Sequence, residues 1–363
     1  MLIKDFEIAA LKNLSPGMRD YVQKRAVDPS APSPNLDAFR KHQILPRAKK
    51  ADTANIRSEI LGQSVSMPVV IGPTAWHKMF TPKGEAATYA AARARDTVYV
   101  VSCFSTMDFH EISPVLEKTW YQILIYKDPG LMLEYIARAE EAGCEAIVLT
   151  VDALHGCSMC KKSEKSFAPV QFPIHDMPLF PRRNSLPYQT LDEYYPQYMI
   201  GNDFHWDVVE GIISKTSLPV VVKGILSVEA ARNAIRSGAK GIVVSNHGER
   251  QSTNPRASLE VLNELTQNIS GEAEIYFDGG IRSGTDVFKG LALGAKAGFI
   301  GRAALYGLAA NGERGLIDVL DILGQEVMEA MKLAGCSDIN DIVRESLTHS
   351  AHPDIPRLPS VEP

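Results

Sequence analysis

Residues 241–251 read Gly-Ile-Val-Val-Ser-Asn-His-Gly-Glu-Arg-Gln, and the fold is decided by the abrupt change within that stretch. Gly241-Ile242-Val243-Val244 is apolar throughout, as a strand covered on both faces must be, and does not alternate as a half-exposed strand would. The polar loop that follows delivers His247 and Arg250 just past the end of a buried strand. That is where a barrel of parallel βα units keeps its chemistry. A proton acceptor and a fixed cation three residues apart on a tight loop suit a substrate that carries an acidic C–H or O–H together with a carboxylate.

Seven further runs have the same character: 68–72, 97–101, 120–125, 146–151, 219–223, 274–278 and 297–301. Helical patterns lie between them, such as 84–95, 130–141 and 228–237, each ending near Gly or a small polar turn. Eight apolar strands alternating with helices predict an α/β fold, a single (β/α)8 TIM barrel with right-handed crossovers. An open doubly wound sheet would need fewer strands and a Gly-rich first turn, and neither is present. The predicted organisation is an N-terminal helical extension over residues 1–60, packed on a barrel over 61–363. In the extension, Ser15-Pro16 predicts a helix start and a helix over 17–26 that carries Tyr21. Residues 28–34, with three prolines, predict an exposed connector. One connection is too long for the rhythm. About residues 153–204, rich in Pro, Phe and Tyr, predict a lid after strand four, since loops of this length commonly cover an active site.

Composition narrows the function classes. The 363 residues are 45% hydrophobic and 22% charged with a formal net charge of -5, the profile of a soluble globular protein, without the basic run a nucleic-acid partner requires. No stretch reaches the ~20 apolar residues needed to cross a bilayer. The N-terminus carries acids where a signal peptide would be apolar, and the last residues, Leu358–Pro363, are not a peroxisomal address. Five cysteines, an odd number, fit a reducing compartment rather than a disulfide framework. The expected location is cytoplasmic.

In such a barrel the C-terminal strand ends line the site. They are Pro73-Thr74-Ala75, Ser102-Cys103-Phe104, Gln122 with Leu124, Thr150 with Asp152, Lys223, the loop 245–251, the loop 278–286 (DGGIRSGTD), and Gly301-Arg302. The last two combine clustered glycines with Arg282 and Arg302. Glycine lets backbone N–H groups approach anionic oxygens, arginine adds charge and a donor fork, and barrels commonly hold phosphate at these two loops. Lys223 aims an ammonium into the barrel mouth, either as a structural ion pair or against an anionic cofactor ring.

Taken together and in order, GPTA (72–75), Gln122 with Tyr126-Lys127-Asp128, LTVD (149–152), VKG (222–224), SNHGERQ (245–251), DGGIRSGTDVFKGLALGA (278–295) and IGR (300–302) resemble the FMN-dependent α-hydroxy-acid oxidase/dehydrogenase family. The resemblance runs from Phe6 to about Ser346. It implies that Ala75, Ser102, Gln122 and Thr150 contact the flavin ring and that Lys223 stabilises negative charge on it. It implies that Asp278, Gly280, Arg282, Gly301 and Arg302 also hold FMN, the glycines and arginines at its phosphate. His247 would be the base, Asp152 the carboxylate that stabilises its protonated form, Arg250 the cation for the substrate carboxylate, and Tyr21 a hydroxyl at the substrate. An imidazole suits proton abstraction near neutral pH, and a nearby carboxylate favours the resulting imidazolium.

The substrate side departs from the family pattern. Leu124 stands where the family usually has tyrosine, Met159 where a second carboxylate-binding arginine is aligned, Phe104 where a larger aromatic is common, and Ser252-Thr253 where Leu-Asp is usual. A charge-assisted hydrogen bond contributes on the order of 1.5–3 kcal/mol, so losing one arginine would weaken a small hydroxy acid roughly tenfold to a hundredfold. The expected activity is therefore FMN-dependent oxidation of a carboxylate-bearing substrate, by default a 2-hydroxy acid to a 2-oxo acid, larger or more apolar than glycolate. Phe104, Leu124 and Met159 would supply apolar wall. A second reading applies the same machinery to a cyclic amino or imino acid in a biosynthetic pathway, and one of another class is a non-catalytic flavin-binding barrel. Oxygen or a diffusible acceptor is expected as electron acceptor, and the resemblance implies a homotetramer. Cys157-x-x-Cys160 with His155 falls short of a zinc ligand set, so no metal is expected.

Overall fold

The computed structural model of the chain describes residues 1–26, 31–48, 51–153, 177–180, 198–199, 203–269 and 271–349. Eight strands close a barrel: β1 Val69–Ile71, β2 Tyr99–Ser102, β3 Thr119–Leu124, β4 Ala146–Thr150, β5 Val220–Ile225, β6 Gly241–Val244, β7 Glu274–Asp278 and β8 Ala297–Ile300. Each is parallel to its sequence neighbour and β8 pairs with β1, so the predicted (β/α)8 barrel is the observed one. Strand alternation splits the core in two. Val70, Val100, Trp120, Val148, Val221, Val243, Tyr276 and Phe299 point inward and pack together. Their neighbours, such as Ile71, Val101, Ile123, Leu149, Val222 and Ile242, pack outward with the helices. Both faces of each strand are covered, which is why the runs are apolar without alternation.

The floor is plugged by an antiparallel hairpin, Ser58–Ile60 with Gln63–Val65, whose Ile60 and Val65 join the inner cluster. The hairpin straddles the boundary drawn at residue 60 between the helical extension and the barrel. Helices Ile3–Asn13, Pro16–Gln23 and Pro34–Lys41 precede the hairpin. Ser15 caps the second by accepting from the Met18 N–H, and Ser33 caps the third by accepting from that of Leu36, each with Pro at the first helical position. The last residues of the predicted connector thus start a helix. The first helix packs along the final one, Arg302–Ala334, which breaks at Asn311 and Gly312. His42–Ile44 pairs antiparallel with Leu347–His349, tying the extension to the far end of the chain. Most of the predicted lid, including His155, Met159 and the Cys157/Cys160 pair, lies outside the described residues. Of that segment, Met177, Leu179, Phe180 and Met199 are buried, and Arg138 donates to the carbonyls of Pro178 and Leu179.

Candidate active site

Register brings the polar strand ends into one row. Ser102 lies opposite Gln122, and Thr150 opposite Lys223. The Ser102 hydroxyl donates to Gln122 Oε1 at 3.2 Å, and Gln122 Nε2 donates to Thr150 Oγ1 at 3.1 Å. Lys223 Nζ then donates to Ser245 Oγ at 2.9 Å and lies 3.2 Å from Asp278 Oδ2. Burial alone would lower the pKa of the lysine, but the charges of Asp278 and Asp152 outweigh it and hold it above the ordinary value. Of the two explanations of Lys223, the ion pair is the one observed, and it stands in the barrel mouth.

His247 Nδ1 is 3.0 Å from Asp152 Oδ1. Burial pushes Asp152 toward protonation, yet His247 and Lys223 more than offset it, leaving the carboxyl below its ordinary pKa. This contact depends on Gly224. There the β5–β6 register shifts, φ is +105°, and an added Cβ would stand 2.7 Å from Asp152 Cβ and Cγ. With Nδ1 turned to the carboxylate, Nε2 is the ring nitrogen left to exchange a proton with a substrate.

Arg250 and Tyr21 form a unit. The guanidinium lies 4.7 Å from the Tyr21 ring centroid, and Nη1 donates to the Tyr21 carbonyl at 3.0 Å. Burial raises the pKa of the Tyr21 phenol despite the opposing charges of Arg250 and Arg302, so it remains a hydrogen-bond donor at neutral pH. Tyr21 in turn packs 5.0 Å from Trp76, which packs 6.3 Å from Phe104. Leu124 is buried at the end of β3. Sequence reading missed Trp76, although it directly follows Ala75 in the first strand-end motif. Its backbone is left-handed at φ +62°, a strain that bulky residues carry mainly at functional sites. Also missed was His77, fully buried, bridging Thr74 Oγ1 and Thr88 Oγ1 at 2.7 Å each and so bracing the loop that carries Ala75.

At the far side three arginines converge. Arg302 is held down to about pKa 10 by burial first and then by the like charges of Arg250 and Arg282. Such a cluster is complementary to an anion. Three of the five Arg302 N–H groups are committed to the carbonyls of Val22, Lys24 and Gly248, so it also fastens the extension. Arg282 lies over the Tyr306 ring at 5.5 Å. Gly279 and Gly280 have φ of +92° and +87°, and the close approach they permit is to Asn35, 2.7 and 3.0 Å from an added Cβ. At Gly301 the nearest atom to an added Cβ is Thr74 Cγ2 at 3.6 Å, which leaves room above the start of the final helix.

These residues fit FMN on two counts. Arg282 and Arg302, the two arginines of the cluster other than the one on Tyr21, suit its phosphate. Asp278 Oδ1, buried and without a hydrogen-bond partner among the described residues, is an acceptor available to a ribityl hydroxyl, since a buried carboxylate oxygen left unpaired is costly. No group of His, Cys, Asp and Glu able to hold a metal is found among the described residues, and none of the described helices is long and apolar enough to cross a membrane.

Comparison with known proteins agrees. Residues 10–349 match the FMN-dependent dehydrogenase family. The chain is 36% identical over 349 residues to 2-hydroxyacid oxidase 1 of Mus musculus, covering 94% of each chain. It is 37% identical over 345 residues to the peroxisomal (S)-2-hydroxyacid oxidase GLO3 of Arabidopsis thaliana, again 94% of each. The solved structure of mandelate oxidase with (S)-4-hydroxymandelic acid superposes with a TM-score of 0.80 at 32% identity, covering 96% of this chain and 98% of that one. With the closed barrel, the polar row and the arginine cluster in place, the chain belongs to the FMN-dependent dehydrogenase family and is an FMN-dependent oxidoreductase.

Proposed function

We propose that the protein oxidises a 2-hydroxy acid with an apolar substituent larger than that of glycolate to the corresponding 2-oxo acid. The observation that carries this reading is the pairing of an Asp152-oriented His247 with an Arg250 that lies against Tyr21, bordered by Trp76 and Phe104. Arg250 binds the substrate carboxylate, the Tyr21 phenol donates to the substrate, and His247 Nε2 takes the substrate proton. Asp152 stabilises the imidazolium that results. The apolar border favours a substituent that fills it, by about 25 cal/mol per Å² of apolar surface covered. Bound FMN supplies the two-electron acceptor. Ala75, Ser102, Gln122, Thr150, Lys223 and Asp278 hold its ring and ribityl chain, and Gly280, Arg282, Gly301 and Arg302 its phosphate. The family resemblance adds reoxidation by oxygen or another diffusible acceptor and a homo-oligomeric assembly.

The test is anaerobic mixing of the purified flavoprotein with glycolate, lactate, 2-hydroxyoctanoate and mandelate, following flavin bleaching. Faster bleaching by the last two supports the reading. Bleaching by glycolate and lactate alone refutes the rebuilt pocket, and wild-type bleaching by His247→Ala refutes the base.

A further inference from the structure

One buried carboxylate on the catalytic loop has no part in the chemistry above. Glu249 lies between His247 and Arg250 and is 1% exposed. It is the third of three consecutive left-handed residues, His247, Gly248 and Glu249, with φ of 56°, 65° and 66°. Side chains rarely adopt this conformation, and it persists only where surrounding contacts impose it.

Those contacts come from the N-terminal extension. Glu249 Oε1 accepts from Ser33 Oγ at 2.5 Å and from the Asn35 backbone N–H at 3.0 Å, while Oε2 stands 3.0 Å from Arg25 Nη1. Its backbone carbonyl accepts from the Ala26 N–H at 2.7 Å. Arg302 closes the same seam, joining the carbonyls of Val22 and Lys24 to that of Gly248. Asn35 and Asn246 exchange side-chain hydrogen bonds at 2.8 Å in both directions. A carboxylate this deeply buried is destabilising unless fully paired, so its partners identify what it is for.

We infer that Glu249 is a positioning residue: it clasps Arg25, Ala26, Ser33 and Asn35 of the extension to the catalytic loop, so that the left-handed turn setting the directions of His247 and Arg250 is complete only when the extension is docked. This rests on the reading of His247 as base and Arg250 as substrate cation. It makes one residue responsible for the alignment of Tyr21, on the extension, with His247 and Arg250, on the barrel.

The test compares wild-type holoenzyme with Glu249→Ala and Glu249→Gln, using mandelate as probe substrate and hydrogen exchange of the substrate-free holoenzyme as a readout independent of turnover. In Glu249→Ala, exchange in peptides covering Ala26 and 247–250 should rise tenfold or more, and the limiting rate of flavin bleaching should fall tenfold or more. Glu249→Gln keeps an oxygen for Ser33 and Asn35 and should stay within about fivefold of wild type on both. Exchange that rises while the limiting rate stays within twofold would mark an ordinary structural residue and overturn the inference, as would unchanged exchange. If Glu249→Ala is recovered without flavin, Arg25→Met removes the ion pair together with the hydrogen bond to the Ala31 carbonyl while leaving Ser33 and Asn35 on Glu249, and the same two signs at threefold or more decide the matter. His247→Asn separates the two proposals: if it bleaches like wild type the base assignment fails, while the exchange measurements still judge the clasp.

Discussion

Asp152→Asn removes one charge from the candidate site and leaves its shape nearly intact. Asp152 Oδ1 and His247 Nδ1 are 3.0 Å apart, with side chains 11% and 31% exposed. At that distance a full ion pair amounts to about 1.4 kcal/mol at the dielectric of water and about 5.5 kcal/mol at an effective dielectric of 20. The partly exposed imidazole belongs toward the lower end, in agreement with the ~1.5–3 kcal/mol of a charge-assisted hydrogen bond. The pair is at full strength only after His247 has gained the substrate proton, so its loss raises the barrier by that amount and slows flavin reduction roughly 10- to 150-fold. Substrate binding through Arg250 is untouched, which places the loss in the limiting rate and not in half-saturation. Anaerobic stopped-flow across a substrate series measures both. Gly224→Ala should give a loss of the same order with every ionisable group retained, because its Cβ would displace Asp152. The folded pKa of Asp152 is depressed, so its contribution to stability is present above the unfolded carboxylate value of ~3.9 and lost only as pH falls through the lower folded value. Any acid limb of activity between about pH 5 and 8 therefore belongs to another group. Reduction by Asp152→Asn within twofold of wild type would refute the reasoning.

Lys223→Met leaves Asp278, whose side chain is 15% exposed, without its cation; breaking a fully buried pair costs about 3–5 kcal/mol, so a loss toward the lower end of that range, read as a lower unfolding midpoint in urea, and weaker flavin retention are expected. The folded pKa of Lys223 is raised, so its stabilisation is fully present below the unfolded lysine value of ~10.4 and lost as pH rises through the higher folded value. The stability gap between wild type and Lys223→Met should accordingly be flat through neutral pH and narrow only at strongly alkaline pH. Burial pushes the thiols of Cys103 and Cys144 up to about 12. Both should resist iodoacetamide in the folded protein at mildly alkaline pH, and labelling of either would show that its surroundings open.

The barrel was legible because each strand is buried on both faces and announces itself locally, as Val220-Val221-Val222 does before Lys223. The same regularity made the strand ends readable as a list, and the structure gathers Ser102, Gln122, Thr150, Lys223, His247 and Arg250 at one mouth. The contacts that cross from one end of the chain to another were not legible. Glu249 meets Arg25, Ser33 and Asn35 more than 200 positions away, and no periodicity records a partner at that distance. Trp76 was hidden for a different reason. An aromatic residue after a strand is ordinarily core, and only its left-handed backbone and its packing between Tyr21 and Phe104 set it apart. The pairing of His42–Ile44 with Leu347–His349 joins two stretches too short to carry a strand signal of their own.

The row across β2, β3 and β4 has a sense as well as a position. Ser102 and Cys103 both give hydrogens to Gln122 Oε1, and Gln122 Nε2 gives one to Thr150 Oγ1. The amide of Gln122 is thereby engaged at both ends, and the Thr150 hydroxyl, accepting from Gln122, keeps a hydrogen of its own to donate. A molecule seated over this mouth meets the Thr150 hydroxyl and the Lys223 ammonium side by side on neighbouring strands, an edge that favours electron-rich atoms.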